Sequence, residues 1–118
     1  MRRSEVATTH LLVDVVHESE AASQVRRATA ERACGKDEVL MIDTCFGLGF
    51  MLGRSFGNAN PPNAVGHAGA GGSLAFADPE RKLGFGYVMN DLRFDPTGDP
   101  RSEVLVRAAY EVLREEGE

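Results

Sequence analysis

The sequence predicts an α+β fold, in which an antiparallel sheet carries a C-terminal helix packed on one of its faces. Two strand candidates, residues 65–77 and 83–90, lie on either side of a turn signal at residues 78–81. The proline after Asp78 presets the backbone torsion at the second position of a type I turn, so the two strands should form an antiparallel hairpin. After residue 99 the apolar residues repeat with helical spacing, and such a helix must lie on a sheet.

The C-terminal helix has the clearest start signal in the chain. Asp99 can cap the helix with its carboxylate, and Pro100 suits the first helical position because that position needs no backbone N–H donor. The residues expected to face the sheet form one apolar stripe: Val104, Leu105, Ala108, Ala109, Val112 and Leu113.

The first half of the chain predicts four further elements. Residues 19–33 indicate a helix that begins with a capping serine and that Gly35 ends. Residues 39–42 are a short apolar run bounded by charge, which predicts a buried strand. Residues 46–52 alternate glycine with large apolar side chains and indicate a strand whose glycine side meets a close neighbour. Residues 53–63 are expected to form a loop, since adjacent prolines prevent both helix and ladder.

Size and charge exclude several classes of protein. The 118 residues fit one folding unit, and 13 basic against 18 acidic side chains give a net charge of −5. This balance argues against nucleic acid as a partner, because phosphate binding needs a basic surface. No apolar run approaches the roughly 18 residues that a membrane span requires. We therefore expect a cytoplasmic protein with no membrane span.

The two cysteines, Cys34 and Cys45, are expected to be reduced. Two are too few to staple a small secreted fold, and their spacing is not that of a C-x-x-C motif. Free thiols in a cytosolic protein behave as small apolar side chains, so we place both in or near the core.

A glycine-rich stretch at residues 66–73 is the densest local signal. Glycine at this density is needed where the backbone approaches a ligand or another strand closely. The stretch lacks the phosphate-binding motif, and a strand rather than a helix follows it, which argues against a nucleotide site. His10, His17 and His67 lack the spacing of metal ligands. The sequence therefore predicts no metal and no cofactor.

The sequence shows no recognisable catalytic serine. None of its six serines lies in a G-x-S-x-G or an S-x-x-K motif. Residues 23–26 come nearest to the second motif, but they end in Arg26, which does not lose its proton and cannot act as a base.

Four ordered blocks of the chain resemble the beta-lactamase-related serine hydrolases, a group that includes class C beta-lactamases and the esterases built on the penicillin-binding-protein fold. The blocks are residues 43–50, 66–73, 76–79 and 83–90. The resemblance implies a partial beta-lactamase-like domain. Residues 19–118 would form its C-terminal part, and residues 1–18 would be a divergent N-terminal segment.

The resemblance also implies a substrate site. His67, Ala68 and Gly69 stand where the family has its Lys-Thr-Gly motif, so His67, Ala68, Gly69 and Ala70 would line the substrate. The backbone N–H of Ala70 would supply half of an oxyanion hole. Histidine in place of lysine weakens the hold on a substrate carboxylate, which favours the esterase branch. Ala68 lacks the threonine hydroxyl, so one substrate hydrogen bond would be lost.

Two family motifs, Ser-x-x-Lys and the catalytic tyrosine motif, are absent from the sequence. We therefore expect the C-terminal segment of a serine esterase that acts on a small ester in the complete enzyme, with no catalytic residues and no activity of its own. One alternative is a non-catalytic binding module that pairs through its exposed sheet edge, either with a second copy or with a missing N-terminal half. Another is a folded remnant without activity.

Overall fold

The computed structural model describes residues 20–95 and 98–117. Its elements, in chain order, are helix α1 (Glu20–Thr29), strands β1 (Ala33–Lys36), β2 (Asp43–Phe46) and β3 (Met51–Leu52), a 3₁₀ helix (Gly53–Phe56), strands β4 (Val65–Ala68), β5 (Leu74–Asp78) and β6 (Leu83–Tyr87), and helix α2 (Pro100–Glu116).

The six strands form one sheet in chain order, each antiparallel to its neighbours. Alternate residues of β5 and β6 face the core, because side chains of a strand point to opposite faces in turn. The predicted α+β class is thus confirmed. The buried apolar core consists of Met51, Phe56, Ala64, Leu74, Phe76, Phe85, Tyr87 and Val106.

Helix α2 begins where the sequence predicts and packs on the sheet. The Asp99 side chain caps it by accepting a hydrogen bond from the Arg101 N–H at 2.8 Å. Val106 is fully buried in the core. The predicted stripe is wrong in part, because Val104 and Val112 are 63% and 53% exposed. Polar residues occupy part of the buried face of α2, so a prediction from the apolar residues alone puts that face in the wrong place. The residues of this face that pack inward are Ser102, Leu105, Val106, Ala109, Tyr110 and Leu113.

The first predicted helix is shorter than expected. Its predicted first residue lies outside the described residues, and α1 ends at Thr29 instead of residue 33. Residues 33–36 form β1, and Gly35 is a strand residue with φ of 148° rather than a helix stop. Pairing of β1 with β2 across four residue pairs overrides the local helix signal.

The predicted buried strand at residues 39–42 is wrong, because this segment is the tip of the β1–β2 hairpin. The Asp37 carboxylate accepts hydrogen bonds from the N–H groups of Val39 and Leu40, each at 2.8 Å. An aspartate that binds the backbone two residues ahead produces a turn. Val39 is 89% exposed, so the apolar run here faces solvent.

The predicted strand at residues 46–52 is a second hairpin. Strand β2 ends at Phe46 and β3 begins at Met51, and the Gly47 N–H donates to the Phe50 carbonyl at 2.9 Å. Gly49 takes a φ of 84°, which glycine adopts without strain. The loop predicted at residues 53–63 is present, with the 3₁₀ helix as its first part.

The strand predicted at residues 65–77 is divided into β4 and β5 by a tight turn. The hairpin predicted around residues 78–81 is confirmed as the β5–β6 pair, in which Asp78 lies opposite Leu83. Strand β6 ends at Tyr87 rather than at residue 90. The glycine-rich stretch therefore forms the end of β4 and a turn, not one arm of the predicted hairpin.

The prediction of reduced cysteines is wrong, because Cys34 and Cys45 form a disulfide. The two residues lie directly opposite each other in the β1–β2 pair, with their Cα atoms 4.0 Å apart. Opposed residues of an antiparallel pair have their β-carbons close enough to be bridged. The spacing of the two cysteines in the sequence carries no information on this register.

No helix among the described residues combines the length and the apolar character that crossing a membrane requires.

Candidate substrate-binding site

The four predicted site residues lie at the end of β4 and the start of the turn that follows it. His67 and Ala68 are the last residues of β4. The Gly69 N–H donates to the Ser73 carbonyl at 2.7 Å, and the Gly72 N–H donates to the Gly69 carbonyl at 3.0 Å. These two bonds close a three-residue loop between β4 and β5, a common hairpin connection with glycine at its last position.

The N–H of Ala70 lies within this loop. No described residue accepts a hydrogen bond from it, whereas the N–H groups of Gly69 and Gly72 are both bonded within the turn. A backbone donor held in a closed turn and left without a protein acceptor can bind a ligand oxygen.

Two glycines allow the turn to take its position. A β-carbon on Gly66 would collide with the Ala75 carbonyl and lie 2.6 Å from the Cα of Phe76. Gly72 has a φ of 110°, and a β-carbon there would collide with the Asp99 carboxylate. The turn therefore packs directly against the N-terminus of α2.

An ion pair fixes this contact between turn and helix. Asp99 is 8% exposed, and its carboxylate lies 2.5 Å from Nη2 of Arg101. Hydrogen bonds from Arg101 hold the pKa of Asp99 below its usual value, although burial opposes the shift. Arg101 also donates from Nη1 to the Asp91 carbonyl at 2.8 Å, which ties the segment before α2 to the helix.

Replacing Asp99 with alanine should lower the free energy of unfolding by about 1–2 kcal/mol at pH 7, since the helix loses its cap. The folded pKa lies below the unfolded value of 3.8, so this contribution is complete above that value and is lost as pH falls through the folded pKa. Urea unfolding at pH 7 measures the loss of stability, and the same experiment at about pH 2.5 measures how far that loss decreases in acid. Glu115→Ala, on an exposed position of the same helix, is the control. An Asp99→Ala deficit that does not shrink in acid would contradict the prediction.

The four site residues line a cavity of about 670 Å³, within the usual size range of small-molecule sites. Three of its lining residues, Met51, Phe56 and Leu74, are apolar, and each is less than 10% exposed. The N-terminal turn of α2 and the tip of the β1–β2 hairpin form two of its sides.

The described serines do not form a nucleophile–base pair. The Ser55 hydroxyl donates to the Leu52 carbonyl at 2.7 Å, and the Ser102 hydroxyl donates to the Asp99 carbonyl at 2.9 Å. Nδ1 of His67 lies 2.6 Å from the Ala68 carbonyl, a geometry that suits a proton on Nδ1. In the described part of the chain, no serine hydroxyl is hydrogen-bonded to a histidine, lysine or tyrosine side chain.

A metal site is not built from the described residues. Glu31, Cys34 and Cys45 bring three ligand atoms within 4.8 Å of one another. Both sulfurs are joined in the disulfide, so neither is available as a thiolate ligand.

Several residues of the cavity are not predicted from the sequence. The apolar run places Val39 and Leu40 in a buried strand, and Phe94 carries no signal of its own. Asn60 also lines the cavity, is 2% exposed, and has a side-chain amide that no described residue hydrogen-bonds. The prolines after Asn60 indicate a loop but not its burial.

Comparison with known proteins identifies the family. The family model described as "Beta-lactamase" matches residues 6–109. A search of curated proteins finds no match. Three solved structures are similar to the chain. They are a novel penicillin-binding protein homolog from Caulobacter crescentus (44% identity, TM-score 0.71), a family VIII carboxylesterase (38%, 0.70) and EstA from Arthrobacter nitroguajacolicus Rue61a (36%, 0.70).

The matches cover most of this chain but a small part of each similar protein. The first two cover 76% of this chain and 24% of the other, and the third covers 81% and 26%. The chain thus spans about a quarter of the length of these structures. It has a partial beta-lactamase-like fold. Because the family model matches residues 6–109, which is most of the sequence, the chain belongs to the beta-lactamase family of serine hydrolases.

Proposed function

We propose that the chain forms one side of the substrate site of a serine hydrolase that cleaves small carboxylic esters. In this proposal His67, Ala68, Gly69 and Ala70 line the substrate, and the Ala70 N–H binds the ester carbonyl oxygen. The observation that carries the proposal is the unpartnered N–H of Ala70 in a closed turn beside the cavity.

The proposed role of Ala70 is electrostatic. When a nucleophile attacks an ester, the carbonyl oxygen gains negative charge, and a backbone N–H held beside it stabilises that charge without having to reorient. The turn is supported from behind by the Asp99–Arg101 pair, which lies against Gly72. Such support keeps the donor in place before the substrate arrives.

We propose that the chain alone binds an ester without cleaving it. Acyl transfer needs a nucleophile activated by an adjacent base. The hydroxyls of Ser55 and Ser102 donate to backbone carbonyls, and the chain has no Ser-x-x-Lys motif. In the complete enzyme the nucleophile and its base would come from residues outside this chain. One of the similar structures is described as a family VIII carboxylesterase, which supports an ester as the substrate.

The proposal is tested by removing the Ala70 N–H while keeping the turn. Ala70 is the second residue of the turn that the Gly72–Gly69 bond closes, a position that favours proline. Ala70→Pro should weaken binding of ethyl pentanoate about threefold to tenfold, the effect of one neutral hydrogen bond. Ala70→Ser keeps the N–H and is the matched control. Equal affinities of the two variants, measured by ligand-observed NMR, would refute the role of Ala70.

The absence of activity is tested separately with a serine-reactive fluorophosphonate. We expect the intact mass of the chain to stay unchanged after incubation. A covalent adduct on Ser73 or Ser55 would show that the chain carries a nucleophile of its own.

A cytoplasmic location stays a prediction. The expectation of reduced cysteines no longer supports a cytoplasmic location, because Cys34 and Cys45 form a disulfide and the cytosol normally keeps thiols reduced.

Pairing through the sheet edge is a second proposal. Strand β6 has β5 on one side and, among the described residues, no strand on the other. An unpaired edge offers backbone donors and acceptors to another strand, from a second copy or from an N-terminal half. Light scattering coupled to size-exclusion chromatography tests self-association, and a monomer at high concentration would count against it.

A further inference from the structure

Three large apolar side chains stand exposed at the mouth of the cavity. Val39 and Leu40 at the tip of the β1–β2 hairpin are 89% and 53% exposed, and Phe94 before α2 is 76% exposed. All three line the cavity that also holds Ala70. We call Val39, Leu40 and Phe94 the apolar wall. Exposed apolar side chains that border a cavity are one mark of a ligand-binding surface.

The part of the wall on the hairpin tip is held in place. The Asp37 carboxylate accepts hydrogen bonds from the N–H groups of Val39 and Leu40, and the Asp37 carbonyl accepts one from Met41 at 2.8 Å. The Cys34–Cys45 disulfide ties the two strands below the tip. Because the backbone of the tip is fixed, its apolar side chains do not have to be ordered when a ligand binds.

The charges that line the cavity are acidic. Asp43, Asp99 and Glu103 are among its lining residues. Their cationic neighbours, Arg101 and Arg107, bind Asp99 and Glu103 from outside the lining. Where the structure describes side chains, no lysine or arginine lines the cavity. A ligand carboxylate would therefore lose its hydration without gaining a cationic partner.

We propose that the apolar wall makes this site selective for uncharged esters with an alkyl or aryl group, and against esters that carry a carboxylate. In this proposal Val39, Leu40 and Phe94 contact the apolar group, while the lining offers an anion no lysine or arginine among the described side chains. The proposal rests on the proposed function, because it assumes that the ester carbonyl binds at Ala70. It extends the proposed function by naming the type of ester that the site accepts and the residues that determine this selectivity.

Two esters of equal length test the selectivity. Ethyl pentanoate ends in a methyl group, and monoethyl glutarate carries a carboxylate at the same position. Titration of the ¹⁵N-labelled full chain at pH 7, followed by amide resonances, gives both affinities and the residues that respond. We expect monoethyl glutarate to bind at least about tenfold more weakly. Ethyl 4-aminobutanoate, which ends in an ammonium group, should bind more tightly than the glutarate ester. Equal binding of the neutral and anionic esters would overturn the proposal.

Substitutions in the wall separate this proposal from the proposed function. Val39→Ser should weaken ethyl pentanoate binding about threefold and Phe94→Ser about tenfold, because each variant buries less apolar surface against the alkyl chain. Val104→Ser, at an exposed valine of α2 outside the cavity, should leave the affinity for ethyl pentanoate unchanged.

If the wall variants bind as well as the native chain while the Ala70 resonance still shifts, the wall proposal fails and the proposed function stands. If the wall variants lose affinity but the Ala70 resonance never shifts, the proposed function fails, and the wall proposal fails with it because it assumes that the ester carbonyl binds at Ala70. Absence of any binding overturns both.

Discussion

Replacing Asp78 with alanine should lower the free energy of unfolding by about 3–5 kcal/mol, because several hydrogen bonds to one buried residue are lost together. Asp78 is 2% exposed, and its carboxylate accepts hydrogen bonds from the Tyr110 hydroxyl at 2.6 Å and from Nδ2 of Asn63 at 2.9 Å. It also accepts one from the Glu80 N–H at 3.0 Å. One side chain thus joins the β5–β6 turn, the loop before β4 and helix α2. Urea unfolding at pH 7 measures the loss.

Tyr110→Phe is the matched control, since it removes one of these donors and leaves the carboxylate. It should cost about 1–2 kcal/mol. Burial of the Tyr110 side chain raises its pKa well above the usual value of 10.0, and the hydrogen bond to the Asp78 carboxylate adds a smaller shift in the same direction. The neutral hydroxyl therefore contributes stability below pH 10, and this contribution is lost as the solution becomes more alkaline. Tyr110→Phe should flatten that alkaline decline. If the stability of Asp78→Ala lay within about 1 kcal/mol of the native value, the claim that the hydrogen bonds to Asp78 stabilise the fold would be wrong.

Replacing Gly66 with alanine should cost about 3 kcal/mol, because the added β-carbon meets backbone atoms that cannot rotate away. The Ala75 carbonyl and the Cα of Phe76 occupy that space, so β4 would have to move away from β5. Thermal unfolding measures the loss, and Ala75→Ser on the exposed side of β5 is the control, with an expected change within about 0.5 kcal/mol.

Gly66→Ala should also impair ester binding, since the β4–β5 turn carries Ala70. A variant that keeps both its native stability and its native affinity would show that the close approach of the two strands is not required.

The elements that the sequence predicts correctly are those with a local chemical signal. Asp78 followed by proline indicates the β5–β6 turn, and Asp99 followed by proline indicates the start of α2. In both cases the aspartate accepts backbone hydrogen bonds from residues just ahead of it, so the signal and the structure involve the same few atoms.

The errors have a common physical origin in pairing between distant residues. Residues 39–42 are apolar, yet whether an apolar run is buried depends on neighbours that the run does not encode. Strand β1 replaces the end of a predicted helix because β2 pairs with it. The disulfide follows from that same register. A strand pairing cannot be inferred from the composition of one of its strands.

The candidate site is predicted in part. The family resemblance points to His67, Ala68, Gly69 and Ala70, and the structure brings all four to one cavity. Their role in binding a substrate remains a proposal. The apolar wall of the cavity could not be predicted, since Val39, Leu40 and Phe94 come from two segments that reach the cavity only in the folded chain.

The measurement that tests the central claim most directly is an isotope-filtered nuclear Overhauser experiment on the labelled chain saturated with ethyl pentanoate. The account predicts a contact between the amide proton of Ala70 and the methylene protons next to the ester carbonyl. If the ester contacts other parts of the folded chain while the Ala70 amide proton shows no contact with it, the claim that this turn holds the carbonyl is wrong.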